Sequence, residues 1–191
     1  MRRLIVVVTI VVVFAAVAVA GLFAFNRYWI QRYDEVIRRQ STIYRLDDRL
    51  VWSVIYEETY FRAWVVGADA EVGLMQVTPA VAREWARETG LKEFEKQSTE
   101  NVTELLRDPE RNIQIGCWYL EKLRERYHDY AAENAMALAA YNAGPSRVEE
   151  WTRGSEDPSR ISEEAFVQSI TIGSTKSYVS SILQRFRDQK K

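Results

Sequence analysis

A single glutamate lies in the apolar face of a predicted helix. If residues 46–61 are helical, the rotation of about 100° per residue brings Val51, Val54 and Ile55 within about 60° of Glu58. Burial against apolar side chains disfavours the charged form of a carboxyl group, so we expect the pKa of Glu58 to be raised. Such a glutamic acid can act as the general acid that cleaves a glycosidic bond. The alternative is that Glu58 ends the helix and points into solvent.

The composition limits any chemistry to carboxylates, hydroxyls and amides. The 191 residues include one cysteine and one histidine, which excludes an internal disulfide and any multi-cysteine or histidine-rich metal centre. We therefore expect no metal and no cofactor. Cys117 is predicted to be a core residue and His128 a surface residue. The formal net charge of −1 argues against a nucleic-acid partner held through phosphate contacts.

Helix signals dominate the chain after residue 40. Thr78-Pro79 and Asp108-Pro109 each have the form of an N-cap followed by proline at the first helical position. Asn134 is predicted to cap a helix over 135–142, and residues 177–187 are predicted to form the last helix. Alternation of apolar and polar residues is weak and confined to 65–66 and 71–76. The predicted fold is therefore mostly α, with at most a short β-hairpin.

The first 25 residues have a different character from the rest. Residues 4–25 carry no charged side chain and follow Arg2 and Arg3, which is typical of a transmembrane helix whose N-terminus stays in the cytoplasm. We predict a signal anchor over 1–25, a membrane-proximal stalk over 26–41 and one folded domain over 42–187. The alternative is a cleaved signal peptide, with Ala18-Val19-Ala20 as the cleavage site. Either segment exports the domain.

Three sequence blocks occur in a recognisable order and spacing. They are Glu58-Thr59-Tyr60-Phe61, Gly73-Leu74-Met75-Gln76-Val77-Thr78-Pro79 and Ala139-Ala140-Tyr141-Asn142-Ala143-Gly144-Pro145. Together they resemble the lytic transglycosylase domain of the soluble-lytic-transglycosylase type, which is related in fold to goose-type lysozyme. The resemblance covers residues 46–183 and implies a lysozyme-like helical domain after the N-terminal transmembrane helix.

The resemblance also implies roles for individual residues. The family's catalytic acid falls on Glu58, and the phenol of Tyr141 would lie near this acid and orient it. Gln76 would offer its amide to the substrate, and Met75 would form part of the sugar-binding wall. Asn142 would either shape the turn or contact sugar. The implied substrate-binding residues are Thr59, Glu71, Met75, Gln76, Tyr141 and Asn142, with Thr59 standing where the family usually has serine.

One late motif departs from the family pattern. The family reads Ile-Pro-x-x-Glu-Thr-x-x-Tyr-Val, whereas residues 170–179 carry Thr171 in place of the proline and Ser174 in place of the glutamate. That glutamate helps to shape and polarise the family's cleft, so the substitution at Ser174 leaves rate and substrate preference open.

The resemblance implies an enzyme that cuts peptidoglycan between N-acetylmuramic acid and N-acetylglucosamine and leaves a 1,6-anhydro ring. Its implied partners are the glycan strands and the membrane. The implied location is the inner (cytoplasmic) membrane of a bacterium, with one span and the domain facing the periplasm or the cell exterior. Two alternatives are a lysozyme-like hydrolase of the same bond and a non-catalytic glycan-binding or scaffold subunit of an envelope complex.

Overall fold

The computed structural model describes residues 1–91 and 96–189. The chain divides into two compact units, one over Met1–Asp34 and one that begins at Glu35. The first unit contains helix α1, Arg2–Gln31. In the described part of the second unit the helices are α2 (Asp34–Ile43), α3 (Asp48–Thr59), α4 (Pro79–Glu88), α5 (Thr99–Leu106), α6 (Pro109–Arg126), α7 (Glu133–Ala143), α8 (Pro145–Thr152), α9 (Glu163–Ser169) and α10 (Gly173–Asp188), with a 3₁₀ turn at Pro158–Arg160.

Helix α1 is long and apolar enough to cross a membrane. Its most apolar 18-residue window has a mean hydropathy of 3.1, and none of that window is buried. The helix therefore does not serve as the core of a soluble fold. It extends to Gln31, beyond the end at residue 25 that the sequence predicts. By length and composition the segment fits an anchor or a signal sequence.

The second unit is organised around helix α7. This helix packs against α6, α8, α9 and α10, and all the side chains from Ala135 to Ala140 are completely buried. Because most of these side chains are alanines, neighbouring helices can approach α7 closely. The predicted mostly α fold is confirmed, and in the described residues strand pairing is limited to the isolated bridges Val66 with Val72 and Val72 with Val77.

The N-termini of the helices show which of the predicted N-caps form. The Thr78 hydroxyl accepts the Val81 N–H at the start of α4, and the Asp108 carboxylate accepts the Arg111 N–H at the start of α6, as predicted. The prediction of an Asn134 cap is wrong, because α7 begins at Glu133 with no side-chain cap. Helix α10 begins at Gly173 rather than at residue 177.

The folded unit also begins earlier than the sequence predicts. The compact unit starts at Glu35 rather than at residue 42, and the predicted stalk over 26–41 is divided between the two units. The physical reason is the burial of one face of α2, where Ile37, Gln40 and Ser41 have almost no exposed surface.

Candidate active site

The candidate acid Glu58 lies one residue before the end of helix α3. The Asp47 carboxylate caps the start of this helix by accepting the Arg49 N–H, and the helix ends where Tyr60 adopts a left-handed conformation with φ 51°. Leu50, Val51, Val54 and Ile55 form its buried face, and Glu58 continues that face. Glu58 is partly buried, so it is not a solvent-pointing terminal residue.

The Glu58 carboxyl is held by a tyrosine from the last helix. The Tyr178 hydroxyl on α10 donates a hydrogen bond of 2.7 Å to Glu58 Oε1. Tyr178 is itself buried, which raises its pKa well above the usual value. The phenol therefore stays protonated and remains a donor throughout the neutral range. This bond fixes one carboxyl oxygen and leaves Oε2 as the atom that can transfer a proton.

Burial raises the pKa of Glu58 to about 7. The hydrogen bond from Tyr178 opposes this increase, because donation to the carboxylate favours its charged form. The nearby carboxylates of Glu71 and Glu57 raise the pKa further by repulsion. Since a pKa near neutrality makes both protonation states accessible, this group can give up a proton and take one back.

A loop between α3 and α4 packs next to Glu58 and is held by one buried asparagine. Asn112 on α6 donates to the carbonyls of Val72 at 2.7 Å and Leu106 at 3.0 Å. Its side-chain oxygen accepts the Met75 N–H at 2.8 Å. Gly73 has φ +75°, and a Cβ there would lie 2.5 Å from the Asn112 amide nitrogen. Glycine is therefore required where the loop passes Asn112.

Thr59 and Met75 differ from the roles that the resemblance implies. Both side chains are completely buried, so neither presents a surface to a ligand. The Thr59 hydroxyl donates to the Leu74 carbonyl at 3.1 Å, which ties the end of α3 to the loop. The Met75 side chain packs so closely on Gly116 that a Cβ at position 116 would lie 2.5 Å from its sulfur. Both residues fix the loop from inside the core.

Tyr141 lies close enough to Glu58 for their charges to interact, but its hydroxyl is not bonded to that carboxyl. It donates instead to the Met75 carbonyl at 2.7 Å. The expected orienting bond on Glu58 comes from Tyr178. This residue is the tyrosine of the late motif at 170–179, and the resemblance in sequence gives it no role. Burial raises the pKa of Tyr141 well above its usual value, so this phenol also stays protonated.

Gln76 and Glu71 are partly exposed and could meet a ligand. The Gln76 amide nitrogen donates to the Gly73 carbonyl at 2.8 Å and to the Val65 carbonyl at 3.3 Å. Its donor is thus engaged within the loop, whereas the sequence interpretation offered the amide to the substrate. The Glu71 Oε2 atom accepts the Asp69 N–H at 2.9 Å.

The late motif, residues 170–179, contacts the end of helix α7. The exposed Asn142 accepts a hydrogen bond of 2.7 Å from the buried Thr175 of α10, so its side chain joins the two helices. Thr171, which stands where the family has proline, accepts a 2.9 Å bond from the Trp151 indole. Ser174 is exposed in the first turn of α10.

The single cysteine and the single histidine lie where the sequence predicts them, in the core and at the surface. Cys117 is buried in the core as predicted, and burial raises the pKa of its thiol above the usual value. His128 is exposed and contacts the Glu125 carbonyl. Over residues 1–91 and 96–189, no group of three or more histidine, cysteine, aspartate or glutamate side chains could hold a metal ion.

In this helical domain a partly buried glutamate, a tyrosine donor and a clamped loop lie together, which makes a candidate site centred on a carboxyl group. The transglycosylase SLT domain model matches residues 35–163 of this chain. The chain therefore belongs to the transglycosylase SLT domain family. The match begins at the same residue as the compact second unit.

Relatives with known names support the same family. The chain is 30% identical to the soluble lytic murein transglycosylase of Escherichia coli (strain K12) over 79% of its own length and 22% of that protein. It is 30% identical to the membrane-bound lytic murein transglycosylase C of Histophilus somni over 62% of its own length and 32% of that protein. The chain thus spans between about a fifth and a third of these relatives.

Solved structures confirm the fold. An inactive glutamate-to-glutamine mutant of the lytic transglycosylase Slt from Pseudomonas aeruginosa aligns with a TM-score of 0.71 and 24% identity, over 85% of this chain and 25% of that chain. A complex of the 70-kDa soluble lytic transglycosylase with bulgecin A aligns with a TM-score of 0.69 and 26% identity, over 84% of this chain and 24% of that chain.

Proposed function

We propose that the chain is a peptidoglycan lytic transglycosylase that cleaves the β-1,4 bond between N-acetylmuramic acid and N-acetylglucosamine. Family membership supports the reaction class. The observation that carries the assignment to a residue is the partly buried Glu58, whose pKa is raised to about 7 and whose Oε1 is fixed by Tyr178. A carboxyl group in this state is protonated often enough at neutral pH to act as an acid.

In the first step Glu58 donates its proton to the oxygen of the departing N-acetylglucosamine. The glycosidic bond breaks with its electron pair on that oxygen, and positive charge develops at C1 of the muramic acid. The acetamido group of the muramic acid stabilises C1 from the opposite face. Tyr178 continues to donate to Oε1 and so stabilises the carboxylate that forms on Glu58.

In the second step the Glu58 carboxylate takes the proton from the C6 hydroxyl of the muramic acid. The C6 oxygen attacks C1 and closes the 1,6-anhydro ring. Glu58 is protonated again, and no water is consumed. One carboxyl group acts first as an acid and then as a base. Its pKa must therefore lie near the working pH, so that the protonated form and the charged form are both accessible.

We further propose that helix α1 anchors the enzyme in the inner (cytoplasmic) membrane with the catalytic domain facing the periplasm or the cell exterior. Support comes from the apolar, unburied window of α1 and from Arg2 and Arg3 at its start, which favour a cytoplasmic N-terminus. Some relatives carry the name membrane-bound lytic murein transglycosylase. The implied partners are the glycan strands and the membrane.

The test is Glu58→Gln, with product analysis by mass spectrometry of digested sacculi. We expect a loss of activity of about 10²-fold or more, because general acid–base catalysis contributes at least this much. Asp48→Asn is the matched control, since it removes an exposed carboxylate at the start of the same helix, and it should keep full activity. Circular dichroism checks that both variants fold.

The products separate this proposal from the alternatives. A transglycosylase releases 1,6-anhydromuropeptides, whereas a hydrolase of the same bond releases reducing ends that are heavier by one water. A wild-type protein that binds glycan without releasing either product would be the non-catalytic subunit that Ser174 leaves open. Release of anhydromuropeptides by Glu58→Gln at the wild-type rate would refute the role of Glu58.

A further inference from the structure

Exposed apolar side chains of the second unit cluster in the segment that follows helix α3. In the described part of this unit the exposed large apolar side chains are Ile43, Tyr60, Trp64, Val66 and Leu91. Three of these five lie within residues 60–66, a segment that begins two positions after Glu58. The side chains of Tyr60, Trp64 and Val66 are called the loop strip below. Single apolar side chains are ordinary on a protein surface, whereas a group of neighbouring ones indicates a binding site.

Trp64 is the largest member of the loop strip, and 59% of its surface is exposed. All six tryptophans of the chain lie in described residues, and each of the other five is buried or partly buried. An aromatic ring of this size gains free energy when its apolar surface is covered. Packing within the domain leaves most of the Trp64 ring uncovered, so this surface is available to a ligand.

Backbone hydrogen bonds fix the segment that carries Trp64. Two turns follow α3, in which the Arg62 N–H donates to the Thr59 carbonyl at 3.2 Å and the Val65 N–H donates to the Arg62 carbonyl at 3.3 Å. The Val65 carbonyl then accepts the side-chain amide of Gln76 at 3.3 Å. The backbone at Trp64 is therefore ordered before a ligand arrives, which reduces the entropic cost of binding.

The loop strip is continuous with the candidate active site. Thr59 follows Glu58 directly, and the two turns keep Trp64 near this end of α3, because the first and fourth residues of a tight turn lie within about 7 Å. The Gly73 N–H donates to the Val65 carbonyl at 2.9 Å, which places the strip beside the loop that packs next to Glu58. A glycan strand held at Glu58 therefore has the loop strip as an adjoining surface.

A sugar ring is a ligand that suits such a surface. One face of a pyranose presents several C–H groups, and the face of an aromatic ring is electron-rich, so the two can stack in apolar contact. We propose that the loop strip binds sugar rings of the glycan strand next to the cleaved bond, with Trp64 as the stacking residue. The inference rests on the proposed function, because that function makes Glu58 the place of cleavage.

The experiment measures binding without cleavage. The full-length protein in detergent, with Glu58→Gln to prevent turnover, is titrated by calorimetry with chitohexaose, an uncharged oligomer of N-acetylglucosamine that carries no peptide. We expect the addition of Trp64→Ala to raise Kd about 10-fold, because the stacking surface is lost. Trp64→Phe should keep most of the affinity, since it retains an aromatic face. Leu91→Ala is the matched control: it removes an exposed apolar side chain outside the strip and should leave Kd unchanged.

Tryptophan fluorescence shows whether Trp64 itself contacts the sugar. Chitohexaose should shift the emission of the Glu58→Gln protein to shorter wavelength, because the Trp64 ring leaves water. This shift should be absent when Trp64→Phe is added, although binding persists. A purely structural role of Trp64 would not produce this difference.

Kinetics and stability complete the test. With Glu58 intact, Trp64→Ala should raise KM for soluble glycan strands about 10-fold and leave kcat unchanged, as expected for a contact made equally in the ground state and the transition state. Trp64→Ala should also leave the unfolding temperature unchanged, since the side chain is mostly exposed.

Two results would overturn the inference. One is a Kd for chitohexaose that Trp64→Ala leaves unchanged. The other is a loss of affinity confined to muropeptides that carry a peptide stem, which would make the strip a contact for peptide. Failure of the proposed function has a different signature, namely turnover by Glu58→Gln or release of reducing ends by the wild type, and it leaves the binding result intact.

Discussion

At the scale of single residues, the site depends on opposing influences on one carboxyl group. Burial and the charges of Glu71 and Glu57 raise the pKa of Glu58, while the bond from Tyr178 lowers it. Burial alone would favour a permanent acid, and a strong donor alone would favour a permanent carboxylate. The balance near pH 7 suits the role that we propose for Glu58, in which the carboxyl group acts in both states. It also means that the folded protein holds Glu58 in an environment that penalises its ionisation.

This penalty predicts a pH-dependent effect on stability. The pKa of Glu58 is about 7 in the folded protein and 4.5 for a free glutamate, so between these values the folded state binds more protons than the unfolded state. Its contribution therefore falls as pH rises from 4.5 to 7, by about 3 kcal/mol at most. Glu58→Gln should be more stable than wild type above pH 7 and similar to it at about pH 4.

Urea unfolding of both proteins across this pH range checks the prediction. The difference in the free energy of unfolding should grow with pH and level off above about pH 7. Asp48→Asn, which removes an exposed carboxylate from the same helix, should show no such growth. Parallel pH curves for wild type and Glu58→Gln would contradict a raised pKa at this residue.

The sequence predicts the raised pKa of Glu58 but not the hydrogen-bond partner of this carboxyl group. Glu58 could be found because its neighbours on the apolar face, Val54 and Ile55, lie within one turn of the same helix. Tyr178 is 120 residues away, and only the packing of α10 against α3 brings it to Glu58. The sequence motif predicts Tyr141 as the partner of Glu58. Its hydroxyl is instead engaged by the Met75 carbonyl, a contact that no local pattern encodes.

At the scale of elements, the sequence predicts a helix start correctly where the N-cap residue bonds to a backbone N–H a few positions further along the chain. The Thr78 and Asp108 caps bond to backbone N–H groups three residues away, so sequence spacing alone predicts them. The position of the loop beside Glu58 is different in kind. It depends on Asn112, which joins α6 to two carbonyls and one N–H of other segments. These partners become adjacent only after the helices have packed.

Asn112 therefore offers a test of how the loop is held. Asn112→Ala removes three hydrogen bonds and takes this side-chain partner from the Leu106 carbonyl and the Met75 N–H in the core, whereas the Val72 carbonyl still accepts the Val77 N–H at 3.0 Å. We expect a loss of about 2–4 kcal/mol in the free energy of unfolding. Activity should fall as well, because the segment that carries Glu71 and Gln76 loses its support.

Chemical denaturation and a peptidoglycan cleavage assay measure these two effects. Glu125→Ala, at an exposed position of the same helix, is the control and should change the free energy of unfolding by less than about 0.5 kcal/mol. If Asn112→Ala were as stable and active as this control, the loop would have to be held by other contacts, such as the bond from Thr59 to Leu74.

At the scale of the whole molecule, the chain combines an apolar helix with a folded unit that contains the candidate site. The boundary between them matters, because composition placed it at residue 42 and the compact unit begins at Glu35. Residues 34–43 look polar and charged as a sequence. Ile37, Gln40 and Ser41 nevertheless share a buried face, and the Leu46 N–H bonds to the Ser41 carbonyl at 2.9 Å. A short amphipathic helix with one buried apolar residue gives too weak a pattern to be separated from a linker.

Two truncations distinguish these boundaries. A chain that begins at residue 35 lacks α1 and should leave the membrane fraction, remain folded and keep the wild-type products. A chain that begins at residue 42 also lacks α2 and the burial of Ile37, which by itself contributes about 2 kcal/mol. It should therefore unfold at a clearly lower temperature. Fractionation and thermal unfolding measure both, with the full-length chain as reference, and equal stability of the two truncated chains would return the boundary to residue 42.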